Sequence, residues 1–369
     1  MFGRSQRQID GRCSDCYRWL VRISILGSGS KGNCVVVDGG GTTIVIDVGF
    51  GPKEVRRRMQ HLGMDLADID AIIITHAHGD HVKGARQLAA ALGKPTWATE
   101  ATRRFASTFT CLKNHVEVTP GQRFKIGGLS ILPIKTSHDE PGSVAYAIDD
   151  GDEAFAFCTD LGDPNDDVAA GLRGVDSLML EFNHDRHMLQ TGPYSSHLKR
   201  RVASRHGHLN NDDSALLLSK AVTSSLTRVL CAHLSEVNNT NHKALEAARS
   251  VVDGKDIDIA VAPQHAPTEW LRVRRLATTA STKVSTRATA PRPPPPTGPV
   301  TMVQSDVSDV IDAVIVESPP PALSASTHLA LRAVVRQRQL ALFAAVAPSP
   351  ATTATPPSPR HSPTKERRR

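Results

Sequence analysis

The sequence contains no apolar run that approaches the ~20 residues needed to cross a lipid bilayer. It also shows no secretory n-region followed by an apolar h-region. These absences predict a cytoplasmic protein that does not contact a membrane. Aromatic residues make up only 4% of the chain, which argues against extended base stacking of the kind that single-strand-binding proteins use.

Cysteine is also scarce, with six residues in the chain. Cys13 and Cys16 form a lone CxxC without the second pair that a zinc knuckle needs. We therefore predict that residues 1–20 form a disordered extension. Four of the cysteines lie at or near apolar strand-like segments, which favours buried free thiols in a reducing compartment.

The net positive charge of the chain comes from its C-terminal part. From residue 275 onward there are 12 Lys and Arg against 5 Asp and Glu, which accounts for the whole net charge of +7 and leaves residues 1–274 without net charge. The same segment holds 15 of the 24 prolines. We predict one folded domain over residues 21–274, and a disordered, low-complexity Pro/Ala/Thr-rich tail over 275–369.

The most informative stretch is His76-Ala77-His78-Gly79-Asp80-His81, which follows the apolar run Ile72-Ile73-Ile74. The run predicts a buried strand, so that the polar side chains are held at the end of a rigid element. Imidazole and carboxylate groups suit zinc, iron or manganese. Four such groups in six residues favour two adjacent metals, one on His76 and His78 and the other on Asp80 and His81.

Five apolar, strand-like segments each end in a histidine or an aspartate. These residues are His76, His138, Asp160, His184 and His233. Strand ends on one edge of a sheet converge in space, so the five groups are expected to form one site. Pattern alone predicts a mixture of strands and helices, either α/β or α+β.

The stretch at residues 76–81 resembles the signature of the metallo-β-lactamase fold, a superfamily of binuclear hydrolases. The resemblance implies an α+β fold, an αββα four-layer sandwich of two sheets between helices, and it implies that Asp47 steadies the metal loop. We assign His76, His78 and His138 to one metal, Asp80, His81 and His233 to the other, and Asp160 to a bridge between them. Two divalent ions (Zn or Mn) roughly 3.5–4 Å apart activate water as the nucleophile and stabilise charge on the attacked group.

Within this fold the chain is similar to the YycJ/WalJ (VicX) family of DNA exonucleases. The matching motifs are residues 27–33, 75–81, 137–139, 159–162, 181–185, 192–194, 198–201, 207–209 and 232–239. The chain departs from the family pattern at Phe182 and Asn210, neither of which is a predicted ligand. The resemblance implies a 5′-to-3′ DNA exonuclease with a role in DNA repair, and DNA as substrate.

Several further residues have both a functional and a structural interpretation. Besides Asp80, the candidate catalytic residues are His184 and His208, which could protonate a leaving oxygen or serve loop structure. The Gly/Ser-rich turn with Ser30 and Asn33 could bind a phosphate or form a tight hairpin.

A basic cluster that includes Lys199 and Arg200, together with Arg201 and Arg205, could bind phosphates or form a solvated face. Two alternative functions stay open: a thioesterase or small-molecule phosphodiesterase of the same fold, and a non-catalytic metal-binding regulatory protein. The sequence gives no indication of the oligomeric state.

Overall fold

The computed structural model describes residues 20–106, 114–139 and 141–273. The predicted N-terminal extension, apart from residue 20, and the predicted tail lie outside the described residues, as do Cys13, Cys16 and Cys111. Those predictions therefore stay predictions. None of the helices in the described residues combines the length and the hydrophobicity required to cross a membrane.

The strands of the described residues are short and rich in Val, Ile, Leu and Phe, residues that favour buried strands. In chain order they are β1 (Arg22–Gly27), β2 (Cys34–Gly39), β3 (Thr42–Ile46), β4 (Ala71–Ile73), β5 (Thr96–Ala98), β6 (His115–Glu117), β7 (Phe124–Ile126), β8 (Leu129–Lys135), β9 (Val144–Asp149), β10 (Ala154–Cys158), β11 (Ser177–Glu181), β12 (Arg228–Ala232), β13 (Asp258–Val261) and β14 (Leu271–Arg272).

The α-helices of the described residues mostly begin at a residue whose side chain caps the free backbone N–H groups, as Asn165, Ser195, Asn210 and Thr240 do. In chain order they are α1 (Pro52–Gln60), α2 (Gly79–Val82), α3 (Ala85–Leu92), α4 (Glu100–Phe105), α5 (Asp166–Leu172), α6 (Arg186–Thr191), α7 (Ser196–Val202), α8 (Asn211–Ala221) and α9 (Asn241–Val252).

The strands form two seven-stranded sheets. The first has the order β14-β1-β2-β3-β4-β5-β6, and the second has the order β13-β12-β11-β10-β9-β8-β7. In each sheet a run of antiparallel strands leads into parallel ones: β3 to β6 are parallel in the first sheet, and β10 to β13 in the second. The carboxyl ends of these parallel strands lie at one edge of each sheet.

Both sheets are buried on both faces. In β3, Ile44 and Ile46 pack between the two sheets, whereas Val45 faces the helical layer formed by α1 and α3. In β11, Met179 packs between the sheets and Leu178 faces the layer formed by α5, α8 and α9. Successive side chains of a strand point to opposite faces of the sheet. A strand is therefore apolar at every position only where both faces of its sheet are covered, here by the other sheet and by a layer of helices. The architecture is an αββα sandwich, which confirms the predicted fold class.

Several local predictions were wrong. The sequence predicts one helix from Val82 to Leu92, but the structure contains two, α2 and α3. The break is at Gly84, whose backbone N–H donates to the carbonyl of Val48 (2.9 Å) and whose Cα lies too close to the Phe50 carbonyl oxygen for any Cβ. As a result Asp80 and His81 lie within α2 itself instead of preceding a long helix.

Two strands were not predicted, and both are short. β6 pairs with β5, and β14 pairs with β1. The sequence predicts that the strand over residues 257–262 closes the domain, but β14 follows it. Two- and three-residue strands carry too little alternation to be recognised.

The sequence also predicts a helix from Glu100 to Phe109. In the structure the helix ends at Phe105, and residues 107–113 lie outside the described part of the chain.

Candidate metal centre

Polar side chains from five strand ends meet at one edge of the two sheets. Asp47 follows β3 and His76 lies three residues after β4 in the first sheet, whereas Asp160 follows β10, Glu181 ends β11 and His233 follows β12 in the second. All five are at most 3% exposed. These strand ends place acidic and imidazole groups from both sheets in one buried cluster. Of the five residues that the sequence predicts to converge, His76, His138, Asp160 and His233 belong to its donor sets, whereas His184 does not.

The first set of donor atoms belongs to His76, His78, His138 and Asp160, and these atoms lie within 4.8 Å of one another. Nε2 of His138 is 3.2 Å from Nδ1 of His78 and 3.7 Å from Oδ1 of Asp160. Nε2 of His76 is 3.9 Å from the same aspartate oxygen. This set contains the three histidines predicted for the first metal.

The second set consists of Asp80, His81 and His233, again within 4.8 Å. Oδ2 of Asp80 lies 3.5 Å from Nε2 of His81 and 3.6 Å from Nε2 of His233. Asp160 links the two sets. Its Oδ2 is 3.1 Å from Nε2 of His81, while its Oδ1 lies close to His76 and His138 and is 3.5 Å from Nδ1 of His233. A carboxylate that lies against both sets is the arrangement expected of a bridging ligand.

The imidazoles are held by partners on their second nitrogen. Nδ1 of His81 is 2.7 Å from Oδ2 of Asp47, Nδ1 of His138 is 2.7 Å from the carbonyl oxygen of Gly207, and Nδ1 of His233 is 3.0 Å from Oε1 of Glu181. Histidines that ligate metals nearly always engage the other ring nitrogen in this way, which fixes the ring orientation. The Nε2 atoms are thereby left to face the centre.

The centre also contains buried polar atoms that lack a partner. Nε2 of His76 and Nε2 of His233 are buried and form no hydrogen bond with any described residue. Leaving such atoms unsatisfied costs about 1–3 kcal/mol each. Nitrogen and oxygen donors of this kind suit divalent zinc or manganese, so the residues present fit a metal site.

The histidines of the two donor sets differ in their pKa values. Burial lowers the pKa of His76, and the neighbouring His81 adds to the effect. Burial also lowers the pKa of His138. These rings are held in the neutral form that coordinates metals. Burial opposes protonation of His233 as well, but Asp160, Asp80 and Glu181 outweigh it and raise the pKa of His233 to about 10. The acidic groups thus favour a cation at this position, and a metal ion there would displace a proton.

Three residues of the centre have a left-handed backbone conformation. They are Asp47 (φ 57°), Asp160 (φ 58°) and His233 (φ 54°), and no other non-glycine residue in the described ranges has positive φ. Asp47 and His233 directly follow a strand and Asp160 lies two residues after one, so the left-handed residue occurs where the chain leaves the sheet at the cluster. Conformations of this kind cost about 1–3 kcal/mol and concentrate at functional sites.

Comparison with known proteins identifies the family. A model of the Beta-lactamase superfamily domain matches residues 42–233, which is more than half of the chain. The chain belongs to the β-lactamase superfamily. The matched segment includes all seven predicted ligands, and this superfamily member is a metal-dependent hydrolase.

Two curated relatives are similar to this superfamily member over most of their own length. Exodeoxyribonuclease YycJ of Bacillus anthracis is 28% identical over 251 residues, which cover 66% of this chain and 93% of the relative. Exodeoxyribonuclease WalJ of Streptococcus pneumoniae is 29% identical over 229 residues, covering 60% and 85%. The metallo-β-lactamase fold protein YhfI of Bacillus subtilis, a solved structure, aligns with a TM-score of 0.51 at 17% identity, over 68% of this chain and 99% of that chain. The structural likeness supports the fold alone.

An open cleft of about 220 Å³ leads to the metal centre of this β-lactamase superfamily member. Asp80, Asp160, His208 and His233 are among the residues that line it. Nδ1 of His208 is 2.8 Å from Oε1 of Glu181, so that Nε2 is left without a partner among the described residues. His208 therefore lies in the same cleft as the proposed ligands.

The other predicted site residues are distributed unevenly around the cleft. Ser30 lines it. Asn33 is only 1% exposed, and its amide nitrogen is 3.3 Å from Oδ2 of Asp80 and 3.0 Å from Nε2 of His81. Asn33 thus supports two ligands and does not face a substrate. His184 is buried outside the lining, and burial lowers its pKa to about 4.

Only part of the predicted basic cluster lines the cleft. Arg201 lines the cleft, whereas Lys199 and Arg200 lie outside the lining. The amine of Lys199 donates to the carbonyl oxygen of Gln190 (2.7 Å). A role for Lys199 or Arg200 in substrate binding stays a prediction.

Glu181 and Thr75 are the functional residues that the sequence analysis did not identify. Glu181 is fully buried and contacts both His208 and His233. The sequence analysis assigns Thr75 no role. In the structure its hydroxyl donates to Asp47 (2.8 Å) and lies 3.0 Å from Nδ1 of His76. A signal existed for Glu181, because it ends an apolar strand as the predicted ligands do.

Proposed function

We propose that this chain is a binuclear metal-dependent phosphodiesterase that degrades DNA from the 5′ end. The observation that carries the proposal is the pair of donor sets joined by Asp160. The substrate class rests on the two exodeoxyribonucleases to which the chain is similar over 85–93% of their length. His76, His78, His138 and Asp160 would hold one ion, and Asp80, His81, His233 and Asp160 the other.

Two divalent ions in such a site, zinc or manganese, would supply Lewis acidity toward water and toward the negatively charged phosphate. The side chains around the centre orient the metal ligands, and one of them must give a proton to the leaving oxygen. Hydrolysis adds water across the phosphodiester, so a new P–O bond forms while the bond to the leaving oxygen breaks. That oxygen needs a proton, and His208 lies on the cleft wall with Nε2 free to donate it.

Glu181 gives His208 its orientation. Its Oε1 accepts from Nδ1 of His208, and its charge raises the pKa of this histidine against the effect of burial. We propose His208 as the general acid and Glu181 as the residue that positions it. His184, which does not reach the cleft, is assigned no proton transfer.

Degradation of 5′-labelled double-stranded DNA by the purified full-length chain tests the proposal. The assay is run with added manganese or zinc, next to Asp80→Ala and Asp256→Ala. Asp80 is a proposed ligand whose side chain is 23% exposed, so its loss removes little core area. Asp256 is exposed and lies before β13, outside the metal centre, so it serves as the matched control.

Release of labelled mononucleotides by the wild type and by Asp256→Ala, but not by Asp80→Ala, is the expected result. Release from a 3′ label before a 5′ label would contradict the direction of digestion. An intact label in protein that carries two metals per chain would contradict DNA as the substrate. Turnover of a small thioester or phosphodiester under the same conditions would then identify the alternative hydrolase.

A further inference from the structure

One wall of the cleft is formed by α7, a helix that has no buried residue. Leu198, Arg201 and Val202 of this helix line the cleft, as does Ser30. Residues three and four positions apart lie on the same face of a helix, so the three side chains form one face that combines apolar surface with a single cation. Leu198 is 36% exposed. This face is left uncovered by the described part of the chain.

Arg201 is the one Lys or Arg among the described residues that line the cleft. Its Nη2 donates to Oδ2 of Asp139, while Nε and Nη1 form no hydrogen bond with any described residue. The other basic side chains nearby are directed elsewhere: Lys199 binds the Gln190 carbonyl and Arg205 pairs with Asp163 at 2.8 Å. Arg201 therefore has donors available for a ligand in the cleft.

Asp139 holds Arg201 in place from a fixed position. Its backbone N–H donates to the carbonyl of His206 (2.9 Å), and its Oδ2 is 3.6 Å from Nε2 of His78. A side chain that is already oriented loses less conformational entropy when a ligand binds. Anchoring of one end of the guanidinium thus leaves an oriented fork of N–H groups, which is the geometry that phosphates accept.

We infer that the α7 face of Leu198, Arg201 and Val202 is a nucleotide subsite. Arg201 binds a phosphate next to the one that is hydrolysed, and Leu198 and Val202 contact its sugar and base. The inference rests on the proposed function and names the residues that bind the DNA strand. The charge of the face supports it, since a folded domain without a net positive charge needs a local cation to hold a polyanion.

The inference is tested by Arg201→Gln with Arg123→Gln as the matched control. Arg123 carries the same charge, is exposed to the same extent, pairs with one aspartate, Asp149, and lies outside the cleft lining. Steady-state kinetics on 5′-labelled DNA are measured at several salt concentrations, with the metal content and melting temperature of each variant. We expect Arg201→Gln to lower kcat/KM by about tenfold or more, and to reduce the slope of its logarithm against log salt by about one. Arg123→Gln should stay within about twofold.

Two further variants distinguish the apolar contact of Leu198 from the phosphate contact of Arg201. Leu198→Ala should lower kcat/KM without a change in the salt slope, because an apolar contact releases no counterions. Arg201→Gln combined with Asp139→Asn distinguishes direct binding of phosphate from mere neutralisation of Asp139. Persistent loss in the double variant supports the subsite.

Equal kinetics for Arg201→Gln and Arg123→Gln would overturn the inference, and so would full recovery in the double variant. An unchanged kcat/KM in Leu198→Ala would overturn the apolar contact. If the wild type itself leaves DNA intact, the proposed function fails before any variant is compared. The two failures are therefore distinguishable.

Discussion

Oε1 of Glu181 lies 3.0 Å from Nδ1 of His233, at the point where the end of β11 meets the residue after β12. The same carboxylate accepts backbone N–H groups from Leu161 and Leu209, both at 3.0 Å. Its second histidine partner is His208. One buried side chain thus joins a proposed metal ligand, the proposed general acid and two loops that shape the cleft.

Glu181→Gln is expected to impair activity and stability together. The carboxylate accepts from five N–H groups, the fifth being the backbone N–H of Asp160. An amide would place its own N–H groups against some of these donors and leave them unsatisfied, at a cost of about 1–3 kcal/mol. Loss of a residue that orients a metal ligand typically costs about 10–100-fold in metal affinity or activity. Denaturant unfolding, metal titration and DNA degradation measure the three effects. Glu246→Gln on the exposed surface of α9 should change none of them, and wild-type metal affinity in Glu181→Gln would contradict the assigned role.

Asp47→Asn should weaken metal binding while the fold persists. Asp47 accepts from the backbone N–H of Thr75 (2.8 Å), from its hydroxyl (2.8 Å) and from Nδ1 of His81 (2.7 Å). Asparagine tolerates the left-handed backbone, but its amide nitrogen cannot accept, so one of these contacts is lost. We expect about a 10–100-fold lower metal affinity, measured by competition with a chromogenic chelator. Loss of folding, seen by circular dichroism, would show instead that Asp47 acts mainly in stability.

The general form of the site was predictable from the sequence because it depends on simple geometry. Apolar runs identify buried strands, and the carboxyl ends of parallel strands lie at one edge. His76, Asp160 and His233 were located in this way. The left-handed backbone of Asp160 and His233, which directs their side chains, was not predictable, since sequence patterns carry no information on a single φ angle at a strand end.

Features that depend on tertiary contacts were missed or misplaced. The helix break at Gly84 follows from the nearby carbonyl of Phe50, which is distant in sequence. Arg201 rather than Lys199 or Arg200 lines the cleft because of how α7 is rotated against the sheet ends. The pairing of β14 with β1 joins residues almost 250 positions apart, and no local pattern specifies it.

Glu54→Gln should lower stability in a way that depends on pH. Hydrogen bonds from Arg57, opposed by slight burial and reinforced by Arg58, lower the pKa of Glu54 from 4.5 to about 2. A lowered pKa in the folded state stabilises the protein above pH 4.5, and the contribution disappears as the pH falls toward about 2. We expect a loss of less than about 1 kcal/mol at pH 7, since the side chain is one-third exposed and screened.

The measurement is the difference in unfolding free energy between the wild type and Glu54→Gln at several pH values. Comparison at equal pH cancels the titration of the metal centre, which both proteins share. A difference that stays constant from pH 7 to pH 3 would contradict the assignment. Glu246→Gln, which pairs with no described arginine, provides the control.

Removal of metal should destabilise the wild-type chain. A ligand that binds only the folded state stabilises it by about 2.7 kcal/mol when present at 100 times its Kd. For a domain of this size, that corresponds to a melting temperature lower by roughly 5–10 °C after chelation. A second cause acts in the same direction, because Asp160 is buried beside Asp80 and Glu181, and metal ions would offset the repulsion among these carboxylates.

Asp80→Ala sharpens this prediction, since it removes a ligand of the second donor set and leaves the first set complete. The variant should bind about one ion per chain instead of two, measured by elemental analysis, and chelation should lower its melting temperature by less than that of the wild type. Asp256→Ala should follow the wild type in both respects. Equal metal content in Asp80→Ala and the wild type would contradict the assignment of Asp80 as a ligand. An unchanged melting temperature of the stripped wild type would show that the buried carboxylates and histidines satisfy one another without an ion.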